Sequence, residues 1–198
     1  LIDLTNQSDT TNLNSGDDQV SNAFSLGFNF DFYNQTFSSA RMATNGCLHF
    51  KTSGAYCSDY TPDPLANQYT YTMLPFWTDL IRDNGSKMLA KSFNDMTVFG
   101  WYDMREYNRA SDNSFEVILW TNNTFEYRYG ALDIINHDVL IGEVGSGSSE
   151  IYQYLFHDEC NTGSTNSSSC VNTNWNDTSF NNMLENGGSL YGSGSGNN

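Results

Sequence analysis

Apolar and polar residues alternate along the chain from Phe24 to Phe32. Large apolar side chains occupy every even position, and small or polar residues occupy every odd position. A period of two predicts a β-strand that presents five large side chains on one face. Further along, Ala40–Thr44 leads into Asn45-Gly46, a pair that favours a tight hairpin turn before Cys47–Phe50.

Short β-prone runs bounded by turn residues continue through the middle of the chain. They predict strands at Tyr69–Ile81 (one long strand or a bent pair), Lys87–Lys91, Met96–Met104, Ser114–Trp120, Thr124–Tyr129, Val139–Glu143 and Ile151–Phe156. No segment has a sustained helical period. The pattern predicts an all-β fold, an antiparallel β-sandwich of the immunoglobulin-like or jelly-roll-like kind, with a terminal donor or edge strand.

Composition divides the chain into four parts. Residues 1–22 are interpreted as an N-terminal β-strand and polar linker, and residues 23–158 as the sandwich. Residues 159–186 form an Asn/Ser-rich extension with a cysteine loop. Residues 187–198 are Gly/Ser-rich and are typical of a linker or a frayed end.

The N-terminal segment Leu1–Thr5 is short, β-prone and tethered by polar residues. Leu1, Ile2 and Leu4 are its predicted anchors. The segment can pair with an edge of its own sandwich, or it can act as a donor strand in a neighbour's open edge. A tether of about seventeen residues spans at most ~55–60 Å, enough to reach another subunit. Because donor and acceptor differ, such contacts are head-to-tail and generate a filament.

Charge restricts the classes of partner. The net charge is −15, from 23 acidic and 8 basic residues, which argues against nucleic-acid binding and against docking on anionic lipid. The sequence contains no run of about twenty apolar residues, so membrane insertion is not expected. The chain begins at Leu1 rather than Met, as expected of a processed, secreted product.

The four cysteines fall in two local pairs, Cys47 with Cys57 and Cys160 with Cys170. Sequential pairing closes two short polar loops, and disulfides imply an oxidising compartment. Zinc is the rival interpretation, since His49 and His157 lie close to cysteines. We favour disulfides because the spacing that zinc knuckles usually show is absent.

Six Asn-x-Ser/Thr sequons are candidate glycosylation sites in predicted turns: Asn6, Asn34, Asn84, Asn122, Asn166 and Asn176. Because Asn, Ser and Thr are so frequent in this sequence, a similar number of sequons is expected by chance.

Catalytic groups are sparse. No nucleophile-elbow motif accompanies any of the three histidines. His49 is expected on the outer face of a strand, His137 in a turn, and His157 at a strand end. Glu116 and Glu126 are predicted on adjacent hairpin strands, where they can oppose each other as a glycosidase pair or simply face solvent. The second interpretation is favoured, and we predict no enzyme, no catalytic residue and no cofactor.

Calcium is the one metal with candidate ligands. Asp79 and Asp83 flank Leu80–Arg82, and Asp158-Glu159 ends another strand, so hard oxygen ligands can gather on the rim of the sandwich. No Asp-x-Asp-x-Asp-Gly loop occurs, and Arg82 and Lys87 can neutralise these carboxylates instead. No metal site is therefore predicted.

The middle of the chain resembles the nidogen-like family of extracellular β-sandwich domains. The stretches that carry the resemblance are LGFNFDFYNQTFSSARMATNGCLHF (Leu26–Phe50), LPFWTDL (Leu74–Leu80), NSFEVILWTNNTFEYRYGALDI (Asn113–Ile134) and VLIGEVG (Val139–Gly145). The resemblance spans about Phe24 to Asp158. It implies an extracellular sandwich and supplies no catalytic residues.

Function is expected to lie in how the sandwich edges are completed. The leading hypothesis is a secreted or cell-surface subunit of an extracellular filament or pilus-like assembly, a head-to-tail homopolymer joined by its N-terminal strand. The alternative is a monomeric secreted adhesion or glycan-binding module that uses exposed Tyr and Trp side chains.

Overall fold

The computed structural model describes residues 1–13, 16–54, 57, 59–62, 69–134, 136–146, 150–157 and 189–193. Within these ranges the chain has a single 3₁₀ turn at Leu4–Asn6 and thirteen β-strands. The strands are β1 Thr11–Asn12, β2 Phe24–Phe32, β3 Gln35–Ala43, β4 Cys47–His49, β5 Thr72–Trp77, β6 Leu80–Ile81, β7 Lys87–Ser92, β8 Met96–Glu106, β9 Asn113–Trp120, β10 Thr124–Tyr129, β11 Val139–Val144, β12 Ile151–His157 and β13 Ser189–Ser193.

The described strands form two antiparallel sheets. Sheet I has the order β1-β7-β8-β9-β10-β13, with β6 also paired to β8. Sheet II has the order β12-β11-β5-β4-β3-β2. The predicted all-β antiparallel sandwich is confirmed, and the two outermost strands of sheet I both come from terminal segments.

The main core lies between the sheets and confirms the period-two pattern of β2. Leu26, Phe30 and Phe32 are buried there, while Phe24 and Phe28 pack against its margin. The core is rich in aromatic rings, such as Trp101 stacked on Phe115 with centroids 4.9 Å apart. Aromatic contacts of this kind add to the stabilisation that comes from apolar burial.

The turn at Asn45-Gly46 forms as predicted, with Ala43 opposite Cys47 in the hairpin register. Gly46 has a φ of +80°, and a Cβ placed there would lie 2.0 Å from the carbonyl oxygen of Phe76. The Asn45 side chain accepts a 3.1 Å hydrogen bond from the Leu80 backbone N–H. The turn therefore rests directly on β5 and on the bend that follows it.

The predicted segment Tyr69–Ile81 is a bent pair that changes sheets. β5 lies in sheet II, whereas β6 pairs with β8 in sheet I. The bend at Thr78-Asp79 brings Asp79 beside the start of β6, where its carboxylate is buried.

Two terminal expectations need correction. Leu1–Thr5 forms no strand: Leu4–Asn6 is a 3₁₀ turn, and Asp3 caps it by accepting from the Thr5 N–H. The N-terminal strand is Thr11–Asn12 instead. In the Gly/Ser-rich tail expected to be a linker, Ser189–Ser193 form β13.

Candidate functional site

The N-terminal arm, residues 1–13, begins on the outer face of sheet I and ends at the β7 edge of that sheet. Leu4 is fully buried against Leu89, Val98 and Ile118, and Ile2 packs at the margin of this cluster. These three sheet residues, together with Tyr102 and Glu116, are called the arm socket below. Two predicted anchors, Ile2 and Leu4, thus pack on the subunit's own sheet face, while Leu1 is 44% exposed.

Glu116 holds the arm by its backbone. Its Oε2 accepts a 2.8 Å hydrogen bond from the Ile2 N–H, and its Oε1 accepts another of 2.8 Å from the Asp3 N–H. The Tyr102 hydroxyl donates to Glu116 Oε1 at 2.6 Å and accepts from the Leu4 N–H at 3.0 Å. Three consecutive backbone N–H groups of the arm are therefore bound by two side chains of the sheet.

Gly100 makes room for this arrangement. It is the register partner of Glu116, and a Cβ placed there would lie 2.3 Å from the ring of Tyr102. The Tyr102 ring thus lies over the bare backbone of Gly100. Burial and the Glu116 carboxylate both raise the pKa of Tyr102, so its hydroxyl remains a proton donor.

The arm also completes an edge of sheet I. β1 pairs with β7 in the register Thr11 with Ala90, and the Leu13 N–H donates to the Met88 carbonyl at 2.8 Å. Lys91 Nζ donates to the Ser8 carbonyl at 2.7 Å. Most of these contacts are made by the arm backbone, as in other cases of β-strand addition.

Glu116 and Glu126 do not oppose each other, and the favoured expectation that both face solvent is wrong. Glu116 is the register partner of Arg128, and Glu126 is the partner of Ile118. Both carboxylates point away from the main core as expected, but neither faces solvent: Glu116 is 0% exposed and Glu126 is 2% exposed. Glu126 is paired with Arg128 at 2.6 Å, so both carboxylates are engaged in structural contacts.

A cluster of carboxylates surrounds His137, which lies in a bend as expected. His137 Nδ1 lies 2.9 Å from buried Glu106, and Nε2 lies 3.4 Å from Asp79. Asp17 and Asp18 also approach Asp79, with ligand oxygens of all three within 4.8 Å. Burial, Asp18, Asp17 and Glu106 raise the pKa of Asp79 to about 6, against the opposing effect of His137.

Asp79 and Asp83, which were considered as calcium ligands, have different partners in the structure. Asp83 is bound by Arg105, whose Nη1 lies 3.0 Å from its carboxylate. Asp79 is grouped with Asp17 and Asp18, which sequence reasoning passed over because they lie far away in the chain. Asp158 and Glu159 lie outside the described residues.

Cys47 and Cys57 form the expected disulfide, with a Cα–Cα distance of 6.2 Å. It covers His49, which is on the outer side of sheet II as predicted but is buried. His49 Nε2 accepts from the Cys57 N–H at 3.1 Å, and burial lowers the pKa of His49 to about 3. With both sulfurs bonded to each other, these residues are not thiolate ligands for zinc. Cys160 and Cys170 lie outside the described residues, and so does the side chain of His157.

Glu143 was missed by sequence reasoning. It is fully buried, and its Oε1 accepts a 3.2 Å hydrogen bond from the Tyr33 hydroxyl. Burial raises its pKa to about 7, while hydrogen bonds from Tyr33 and Tyr154 oppose that shift. The position of this Glu within the otherwise apolar run Val139–Val144 was the feature of the sequence that could have predicted its burial.

Four of the six sequons fall in the described ranges, and all four asparagines are exposed. Asn6 ends the 3₁₀ turn, and Asn34, Asn84 and Asn122 lie in turns between strands. Asn166 and Asn176 lie outside the described residues.

Among the described residues, no helix has the length and apolar character needed to cross a membrane. Comparisons with curated proteins and with solved structures gave no significant match. A family model described as NIDO related matches residues 3–186. The match extends well beyond the Phe24–Asp158 stretch and includes most of the arm.

This family and the all-β sandwich are typical of a non-enzymatic module. The buried disulfide between Cys47 and Cys57 is typical of an extracellular protein. Since the family model covers most of the chain, the protein belongs to the NIDO-related family of extracellular-type domains.

Proposed function

We propose that the protein is a structural subunit of an extracellular filament or pilus-like assembly that polymerises head to tail through its N-terminal arm. In the assembly, the arm of one subunit occupies the arm socket and the β7 edge of the next subunit. The observation that carries the proposal is the way Glu116 and Tyr102 bind the backbone of residues Ile2 to Leu4. In the proposed assembly, the arm of a second copy makes these same contacts.

Three properties of the arm support this exchange. It adds a strand to the edge strand β7, which is how donor strands bind their acceptors. Its apolar anchor Leu4 is buried against the sheet. Its donor and acceptor surfaces are different, so each subunit offers one of each and growth continues in one direction.

A pair of variants, each with one added cysteine, tests the exchange. Thr11 and Ala90 are register partners, so Thr11→Cys chains mixed with Ala90→Cys chains can form a heterodimeric disulfide only when the arm crosses between subunits. We expect this heterodimer in assembled material. A mixture of Thr11→Cys with Lys87→Cys is the off-register control, since residue 87 lies three positions, about 10 Å, from residue 90.

The second test removes the apolar anchor. We expect Leu4→Asp to abolish filaments in negative-stain micrographs, because a charge cannot be accommodated in the buried contact with Val98 and Ile118. Gln7→Asp adds the same charge at an exposed arm position and should assemble normally. Normal assembly of Leu4→Asp, or of a chain lacking Leu1–Thr5, would refute the proposal.

The alternative function is a monomeric adhesion or glycan-binding module. A cleft of about 640 Å³ favours it, because its lining combines Arg105 and the carboxylates of Asp83, Asp112 and Asp133 with apolar Leu132. Planar hydrogen-bonding groups beside an apolar surface suit sugar recognition. Exposed Tyr60 and Tyr152 offer additional contact surfaces elsewhere.

Sedimentation and glycan-array binding distinguish the two functions. A strictly monomeric chain whose glycan binding is lost in Asp112→Asn and kept in Asp95→Asn would favour the module. Asp95 is an exposed aspartate that does not line the cleft. Filaments without glycan binding would favour the structural subunit.

A further inference from the structure

The opposite edge of sheet I is also completed by a terminal segment. β13 pairs antiparallel with β10 over five register pairs, from Thr124 with Ser193 to Arg128 with Ser189. β9 occupies the other side of β10. β13 therefore covers a β10 edge that would otherwise present unpaired N–H and C=O groups.

A long stretch of chain separates β13 from the body that precedes it. β12 ends at His157 in sheet II, and β13 begins at Ser189 in sheet I, with residues 158–188 between them. A chain of this length spans up to ~100 Å when extended. A connection of this length can therefore reach the β10 edge of an adjacent subunit as well as its own.

The composition of β13 suits exchange. The segment Ser-Leu-Tyr-Gly-Ser has three small residues among its five. A short strand of this kind binds mainly through the backbone ladder, which any β10 edge of the same register supplies. The same backbone-directed binding holds the arm at the β7 edge, so the two outer strands of sheet I are attached in the same way.

We infer that the β10 edge is a second acceptor site, which receives Ser189–Ser193 from a second copy of the chain. This inference rests on the proposed function, because it describes a second contact within the same assembly. It differs in the surface used: the arm joins subunits at β7, and β13 joins them at β10. Each subunit then has two donor segments and two acceptor edges on one sheet.

The test uses the register of β10 with β13. Full-length Thr124→Cys chains are mixed with full-length Ser193→Cys chains under assembly conditions, oxidised mildly and analysed by non-reducing electrophoresis with peptide mapping. We expect a covalent heterodimer linked through residues 124 and 193. The matched control mixes Arg128→Cys with Ser193→Cys, which are four register positions apart and should give about tenfold less product.

A double variant, Thr124→Cys with Ser193→Cys in one chain, completes the design. The inference is overturned when the double variant forms only an internally linked monomer and the mixture gives no heterodimer. It is also overturned when neither sample links, since β13 then does not pair with β10. A Thr11–Ala90 heterodimer without a Thr124–Ser193 heterodimer leaves the proposed function standing and removes only this inference. Absence of both heterodimers removes both.

Discussion

The Tyr102 hydroxyl donates a 2.6 Å hydrogen bond to Glu116 and accepts one from the Leu4 N–H, so one side chain links the carboxylate to the arm. Glu116 itself accepts two arm N–H groups. On the outer face of sheet I, the buried carboxylate of Glu116 thus has hydrogen-bond donors from Tyr102 and from the arm backbone. Buried carboxylates are tolerated when they are satisfied in this manner.

Replacing Glu116 by Gln should destabilise the arm. One of the two acceptor oxygens becomes an NH₂ group that faces an N–H donor, and we expect a loss of about 2–3 kcal/mol in the free energy of unfolding. Amide exchange at Ile2, Asp3 and Leu4 should accelerate. Chemical denaturation and hydrogen exchange measure both effects.

Glu126→Gln is the control for this variant, since Glu126 is equally buried but is paired with Arg128. Its substitution should leave exchange in the arm unchanged. Equal acceleration of arm exchange in the two variants would contradict the role given to Glu116.

Replacing Gly46 by Ala should destabilise the sandwich strongly. The new Cβ would lie 2.0 Å from the Phe76 carbonyl oxygen, which cannot move without breaking β5. Gly54→Ala is a matched control because Gly54 also has a positive φ, of +99°, but has no atom within 4 Å of the built Cβ. Left-handed strain is therefore common to both variants, and thermal unfolding should show a further loss of about 2 kcal/mol or more at Gly46. Equal losses would show that the close approach to Phe76 is not important.

Stability should fall as the pH rises because of Glu143. Its pKa in the folded protein is raised from 4.5 to about 7. The contribution of Glu143 to the free energy of unfolding is therefore fully present below pH 4.5 and is lost as the pH rises through 7. Between pH 4.5 and 8 the wild-type protein should lose about 3 kcal/mol relative to Glu143→Gln, which has no such titration.

Glu150 provides a control of opposite sign for the pH series. It is partly exposed, and hydrogen bonds from Ser146 lower its pKa. Its contribution is present above its ordinary pKa and is lost as the pH falls. Denaturation profiles of Glu143→Gln and Glu150→Gln should differ from the wild-type profile in opposite directions, and parallel profiles would count against a buried titrating Glu143.

Removing the disulfide should lower stability by about 2.5–3 kcal/mol, the loop-entropy value for a closed loop of this size. The double variant Cys47→Ala with Cys57→Ala makes this change while leaving Cys160 and Cys170 intact. Urea unfolding measures the loss. Increased exchange at the Cys57 N–H, which donates to His49, should accompany it. An unchanged midpoint would show that the covered outer side of sheet II holds together without the bond.

The strands of the sandwich were predictable because burial between two sheets imposes a local period of two, as in Phe24–Phe32. The hairpin at Asn45-Gly46 was predictable for a similar reason, since a tight turn requires particular local residues. The Cys47–Cys57 loop is also short enough to be inferred from spacing.

The arm socket was not predictable in the same way. Glu116 has the alternation of a solvent-facing residue, and the arm that covers it lies more than a hundred positions away in the chain. Asp17 and Asp18 meet Asp79 through a similar long-range contact. β13 was missed because Ser and Gly have low strand propensity, and the ladder offered by β10 outweighs that preference.

The position of β13 also has a consequence for biosynthesis. Until Ser189–Ser193 has emerged, a nascent chain folded through β10 presents that strand as an open edge, while everything after Tyr129 is still being made. Open edges are where nascent chains aggregate. Glu126 and Arg128, an ion pair on this strand, place charges at the exposed edge during that interval. The pair can therefore protect the protein before it is complete, in addition to its contact in the finished sheet.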